Sequence, residues 1–188
     1  MARPKSEDKR SAILAAATRV IAAQGLGAPT AAIAKAAGVS NGSLFTYFET
    51  KHDLFDQLYL ELKVDMASQA LADLPAGSPP RAQVLHLWTR WLAWARACPE
   101  KRRALAHLCV SDAITPASRQ IIAASFAQVL DLLEGIRAAG PMRGVPLPFV
   151  LSLMNALADA TLDFALQDPD HADAHGREAF EAFWRMLS

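Results

Sequence analysis

Residues 29–51 read Pro29-Thr30-Ala31-Ala32-Ile33-Ala34-Lys35-Ala36-Ala37-Gly38-Val39-Ser40-Asn41-Gly42-Ser43-Leu44-Phe45-Thr46-Tyr47-Phe48-Glu49-Thr50-Lys51. The pattern predicts a short helix, a turn at Gly38-Val39 and a second short helix. Ile33, Ala34, Ala37, Val39, Leu44 and Phe48 are apolar and can hold the two helices together. Ala34, Ala37 and Gly38 are small enough for a close, steep crossing. Gly38 suits a left-handed cap, because glycine has no Cβ to clash there. Ser40 can cap the next helix through its hydroxyl. Leu44 and Phe48, four apart, share its inner face. Thr30, Ser40, Asn41, Ser43, Thr46, Tyr47 and Lys51 carry groups that hydrogen-bond nucleic acid, and Gly42 lets a backbone come close. This is the composition of a helix-turn-helix that enters the DNA major groove. A plain helical hairpin inside a larger core is the simpler alternative.

The stretch from Ile33 to Phe48, followed by Lys51 and Leu54, resembles the DNA-binding signature of the tetracycline-repressor (TetR) family. The specific match covers residues 10 to 58, about a quarter of the chain. The resemblance implies a dimeric transcription regulator, most often a repressor released from DNA by a small molecule. Carried over position by position, it puts Asn41, Gly42, Ser43 and Thr46 near base edges and Tyr47 and Lys51 on phosphates. Two positions depart from the family pattern. Phe45 stands where Tyr is frequent, leaving apolar contact in place of a phosphate hydrogen bond. Pro29 stands where Ser or Thr often caps the helix, and it suits the first helical turn, where its missing N–H costs nothing. Thr30 is then one position late for the usual phosphate contact.

Working outward, the charge is uneven. The 188 residues carry 19 Lys and Arg against 19 Asp and Glu, a formal charge of zero. Residues 1–51 hold seven basic and three acidic side chains, +4, so the other 137 residues sum to −4. A basic N-terminal segment on an acidic body suits a DNA reader. Apolar residues make up 52% of the chain, enough for a packed interior and a partner surface. Cys98 and Cys109 form no CxxC pair, the N-terminus is polar, and the uncharged run 144–158, which no other exceeds in length, contains two prolines. These features predict a soluble, cytoplasmic protein with reduced thiols.

The expected fold is all-α with about nine helices. A three-helix reader occupies residues 1–51, with its motif at 29–48. A helical ligand-binding and dimerisation domain follows at 52–188, joined to the reader only by a helix over 51–74. Ser6 can cap the first helix, Ile13, Ala17, Val20 and Ile21 form its buried stripe, and Gly25 ends it. Pro75 to Pro80 is a break, and later helices are expected near 81–97, 100–113, 116–139, 148–167 and 173–187.

The C-terminal half carries fainter signals. Trp88, Trp91 and Trp94 recur every three residues, a spacing that drifts round a helix, so they cannot all face one core. Trp88 or Trp91, with Phe126, Met154 and Asn155, could line a cavity for an apolar or weakly cationic ligand. Ordinary core packing would use the same side chains. Phe180, Phe183, Trp184 and Leu187 form an apolar stripe that could be a dimer interface, or could close the monomer's own core. His171 and His175 lie four apart, as metal ligands on a helix can, but in a solvated segment; no metal and no cofactor is expected. No HExxH, glycine-rich phosphate loop or serine elbow is present, and an enzyme is not expected. Two readings stay in view: a ligand-responsive DNA-binding repressor, and a helical small-molecule or protein-binding module with weak or lost DNA binding.

Overall fold

The computed structural model describes residues 5–75 and 77–188. Every regular element among them is helical: α1 (Lys5–Gln24), α2 (Thr30–Ala36), α3 (Asn41–Leu44), α4 (Lys51–Leu71), α5 (Pro80–Ala97), α6 (Pro99–Cys109), α7 (Pro116–Ser125), α8 (Ala127–Ala139), α9 (Leu147–Ala165) and α10 (Ala172–Leu187). A 3-10 turn, Pro169–His171, precedes α10. The segment expected as one helix from 116 to 139 is two, interrupted at Phe126. No proline or glycine marks that break in the sequence. α1 begins at Lys5, so Ser6 lies in its first turn instead of capping it.

The chain forms two compact units. The first comprises residues 1–65 and 98–124, the second 66–97 and 125–188. The reader expected in residues 1–51 lies within the first unit, which also takes in most of α4 and all of α6. Between these units the chain crosses three times, inside α4 after Asp65, after Ala97 and after Ala124. α4 is therefore one of three covalent connections between these units.

In the first unit, Ile13, Leu14 and Ile21 of α1, Ile33, Leu44, Phe48, Leu54 and Leu58, and Leu108 of α6 are all fully buried. α1 packs against both α2 and α6. Polar clasps fix α4 to α6 and α7. Lys101 Nζ donates to Asp65 Oδ2 at 2.9 Å, and that bond raises the pKa of the ammonium. The Asp56 carboxylate accepts from Thr115 N, Thr115 Oγ1 and the buried Ser118 Oγ at 2.9, 3.2 and 2.7 Å. Thr115 Oγ1 in turn accepts from Ser118 N at 3.1 Å and caps the first turn of α7.

In the second unit α10 lies against α5 and α9. Its inner face, Gly176, Phe180, Phe183 and Leu187, meets Trp88 of α5: the Trp88 indole stacks on Phe183 with centroids 6.2 Å apart, and its Nε1 donates to Gly176 O at 2.9 Å. The turn between α8 and α9 is held by Arg137. Its Nη1 donates to the carbonyls of Met142, Arg143 and Val145, while its Nε and Nη2 bond Glu134. The helix α8 ends at Gly140, directly against the C-terminus of α10. A Cβ there would stand 2.1 Å from Leu187 O, a backbone atom that cannot swing aside. Gly140→Ala is expected to cost about 1–3 kcal/mol, the usual penalty of forcing extra volume into a packed site. Chemical denaturation of the variant checks this, with Gly144→Ala, where a Cβ meets nothing within 4 Å, as the near-neutral control.

Candidate nucleic-acid interface

The turn of the motif is built as its residues dictate. Gly38 adopts φ +69°, the left-handed region that favours glycine. Ser40 is extended, and its Oγ accepts from Ser43 N at 3.0 Å, capping α3. Pro29 is not in the first turn of α2. It is the preceding N-cap, extended at φ −72°, ψ 145°, with no side-chain cap. Thr30 is then the first helical residue.

α3 is short. Asn41–Leu44 is helical, and the chain continues to Phe48 in tight turns, with Phe45 N, Thr46 N and Tyr47 N bonded to Asn41 O, Ser43 O and Leu44 O. Leu44 and Phe48 are fully buried, which fixes the opposite face outward. On that segment Ser40, Asn41, Gly42, Phe45 and Thr46 are exposed and Ser43 and Tyr47 are half-buried, as is Thr30 at the start of α2. A Cβ on Gly42 would meet only Ser40 Oγ, at 3.9 Å, so nothing in the chain itself forbids a side chain there. Thr46 Oγ1 donates to Ser43 O, and as a hydroxyl it can still accept a further bond.

Lys51 is less free than a phosphate-gripping lysine on a bare surface. Its Nζ donates to Leu26 O at 2.8 Å and lies 5.3 Å from the centre of the Phe55 ring. Two of its three donors remain. Three further residues shape this region without standing out in the sequence. Arg10 places its guanidinium 5.6 Å over the Phe48 ring and donates to Gln57 Oε1. Gln57 Nε2 donates to Asp53 Oδ1 at 2.7 Å, and Asp53 Oδ2 accepts from Glu49 N at 2.9 Å. The Arg10–Gln57 pair spans 47 residues, beyond the reach of local pattern reading.

Residues 13–58 match the model of the bacterial regulatory proteins of the tetR family. The fold of the whole chain matches as well. A putative tetR-family transcription regulator from Shewanella sp. PV-4 is 25% identical, with 95% of this chain and 97% of that one covered and a TM-score of 0.82. Over residues 13–58 the chain is thus similar to the tetR family, and its whole fold is that of tetR-family regulators. A tetR-family regulator from Marinobacter aquaeolei VT8 is 24% identical over 99% of this chain and 98% of its own, with a TM-score of 0.85. The transcriptional regulator FadR from Bacillus subtilis, solved in complex with stearoyl-CoA, is 18% identical over 95% and 99%, with a TM-score of 0.67. The helix-turn-helix of this chain is therefore a DNA-binding module of the kind transcription regulators carry.

The C-terminal residues singled out in the sequence fare differently. Trp88 is 4% exposed and committed to the core, its ring stacked and its N–H satisfied, so it does not present a free cavity wall. Trp91 is half-buried, edge-on to Trp88 at 6.2 Å. Phe126 and Met154 are half-buried and Asn155 is exposed. A groove of about 350 Å³ in the second unit is lined by Pro79–Arg81, Ile136, Ala139, Gly140, Trp184 and Ser188, and by none of those five. Phe180, Phe183 and Leu187 are 1%, 1% and 0% exposed. They close their own unit's core and offer no surface to a second copy. Only Trp184 of that stripe is partly open. An amphipathic helix reads the same in sequence whether its stripe meets its own chain or another.

His171 and His175 both turn to Asp168. His171 Nδ1 and His175 Nε2 lie 2.9 and 3.0 Å from its two oxygens. Among the described residues no group of three or more His, Cys, Asp or Glu is placed to hold a metal. The bonds from His175 and then His171 hold the Asp168 carboxyl below the usual carboxylate range. A depressed carboxylate stabilises the fold above its unfolded pKa, and that contribution fades as pH falls through the lower folded value. Asp168→Asn should therefore lower stability at neutral pH and flatten its loss in acid below about pH 4. Thermal unfolding from pH 7 to pH 3 checks this.

Proposed function

We propose that the chain is a homodimeric, sequence-specific repressor released from its operator by a small apolar ligand. DNA reading is assigned to residues 1–51, and effector and partner binding to 52–188. The observation that carries the first part is the sidedness of the recognition segment. Leu44 and Phe48 are fully buried, while Asn41, Gly42 and Thr46 face outward with donors, acceptors and bare backbone. In this reading Asn41, Ser43 and Thr46 meet base edges, and Tyr47, Lys51 and Thr30 meet phosphates. Ser40 and Phe45 flank them, Phe45 through apolar contact.

One short reader makes too few contacts for tight specific binding, so a two-fold dimer on a pseudo-palindrome follows, with recognition segments about 34–36 Å apart. The surface for it is the outer side of α9. That helix is apolar and long enough to span a membrane by length and composition, yet only 22% of it is buried. Phe149 and Phe164 are 55% and 47% exposed near its two ends, with Ser152, Ala156 and Ala160 exposed between them. A second copy covering that face removes the apolar surface from water. The effector reading draws on the aromatic second unit and on the stearoyl-CoA held by the Bacillus subtilis regulator. Trp91, Phe126 and Met154 are the side chains assigned to an apolar ligand there, with Trp88 behind Trp91 and Asn155 at the edge. The ligand needs a roughly 100-fold preference for the released form, close to 2.7 kcal/mol, to move a balanced population.

Three outcomes are expected. Gly42→Val should fold as wild type but lose affinity for a duplex enriched from a random library, because the space its side chain takes is the space the DNA needs. Lys51→Ala should weaken binding to every sequence and reduce the slope of log affinity against log salt by about one. Sedimentation should give twice the mass of one chain, and Phe149→Asp with Phe164→Asp should return it to one. Failure of wild type to enrich any duplex, with folding and self-association intact, would favour the module that has lost DNA binding.

A further inference from the structure

We infer that Asp53 is a positioning residue that sets the angle of the recognition segment, with Gln57 and Arg10 behind it. The inference rests on the DNA-reading function proposed above. The segment needs such a support, because its four helical residues are one turn, too short to hold a conformation alone. Its exit is Phe48-Glu49. Both groups of that exit are gripped by the same chain of bonds. The Glu49 N–H donates to Asp53 Oδ2 at 2.9 Å. The other Asp53 oxygen accepts from Gln57 Nε2 at 2.7 Å. Gln57 Oε1 accepts from Arg10, and the Arg10 guanidinium lies 5.6 Å over the Phe48 ring. The circuit thus leaves the recognition segment at Glu49, passes through α4 and α1, and returns to the segment at Phe48. Thr50 Oγ1 accepts from Asp53 N at 3.0 Å and seats the first turn of α4 beneath it.

Chemistry selects these residue types. A carboxylate is needed at 53 because it must accept from two directions at once, one main-chain and one side-chain donor. A glutamine at 57 is needed because it must donate to Asp53 and accept from Arg10. An arginine at 10 lies flat over an aromatic face while its edge donates in the plane. Asp53 carries negative charge beside a surface meant for phosphates, where a carboxylate weakens binding. Its role is then to hold geometry, and the two roles pull DNA affinity in opposite directions.

The test uses the full chain, the duplex that wild type enriches from a random library, and a scrambled duplex of equal length. Asp53→Asn keeps shape but leaves one acceptor oxygen for two donors. Gln57→Leu cuts the Arg10 link and leaves the Asp53–Glu49 bond. Both variants should bind the enriched duplex about tenfold or more weakly, the scale of one misaligned base contact, with scrambled-duplex affinity unchanged or raised. Their combination should lose less than the product of the single losses, since both break one circuit. Equal losses on both duplexes, or tighter binding to both with the ratio kept, would overturn the positioning role and leave the DNA reading standing. A wild type that prefers no duplex would overturn both. Should Asp53→Asn not fold, Gln57→Leu alone decides, through the same ratio.

Discussion

A recognition segment of four helical residues cannot define its own direction. Everything that orients it comes from outside: Leu44 and Phe48 driven fully into the core of the first unit, Ser40 closing its start and Asp53 closing its exit. Two buried side chains fix which face is hidden, and the opposite face is thereby presented. Each fully buried Leu or Phe contributes about 1.5–3 kcal/mol by leaving water. The outward groups need contribute nothing to folding, which leaves Asn41, Gly42 and Thr46 available for binding.

The same constraint explains what could be read from the sequence. Local chemistry was legible. Gly38 in the left-handed region, the Ser40 cap and the buried pairs in α1 and α3 all depend on neighbours within one or two turns. Helix positions followed from prolines and apolar period, but the break at Phe126 did not, because no residue there forbids a helix. Long-range partners were illegible. Nothing near Arg10 announces Gln57, and nothing near Asp56 announces Thr115 and Ser118, 59 and 62 residues on. The stripe Phe180, Phe183 and Leu187 was legible as apolar but not as to its partner, since burial by Trp88 and burial by a second chain place the same demand on the helix.

The second unit shows the cost of an aromatic core. Trp88 needs a hydrogen-bond acceptor when buried, and it finds one in the main chain, at Gly176 O. A Cβ at Gly176 would stand 3.2 Å from Leu92 Cδ1. With Gly140 against the end of α10, two glycines let backbone approach where side chains are large, and the tryptophan, the phenylalanines and the glycines form one packing solution.

The two ends of α9 are fastened by clasps of different chemistry. At its start the Arg137 guanidinium holds three carbonyls and Glu134, and a guanidinium stays charged at any pH a protein meets. At its far end the Asp168 carboxylate holds two imidazoles, and a carboxylate held below the usual range loses its charge only in stronger acid. One fastening is permanent and the other is conditional. The helix therefore has a direction to its loosening: acid unlatches it from Asp168 inward, while the hairpin to α8 stays shut. Fraying of this part of the molecule is polar, set by which clasp can change its charge.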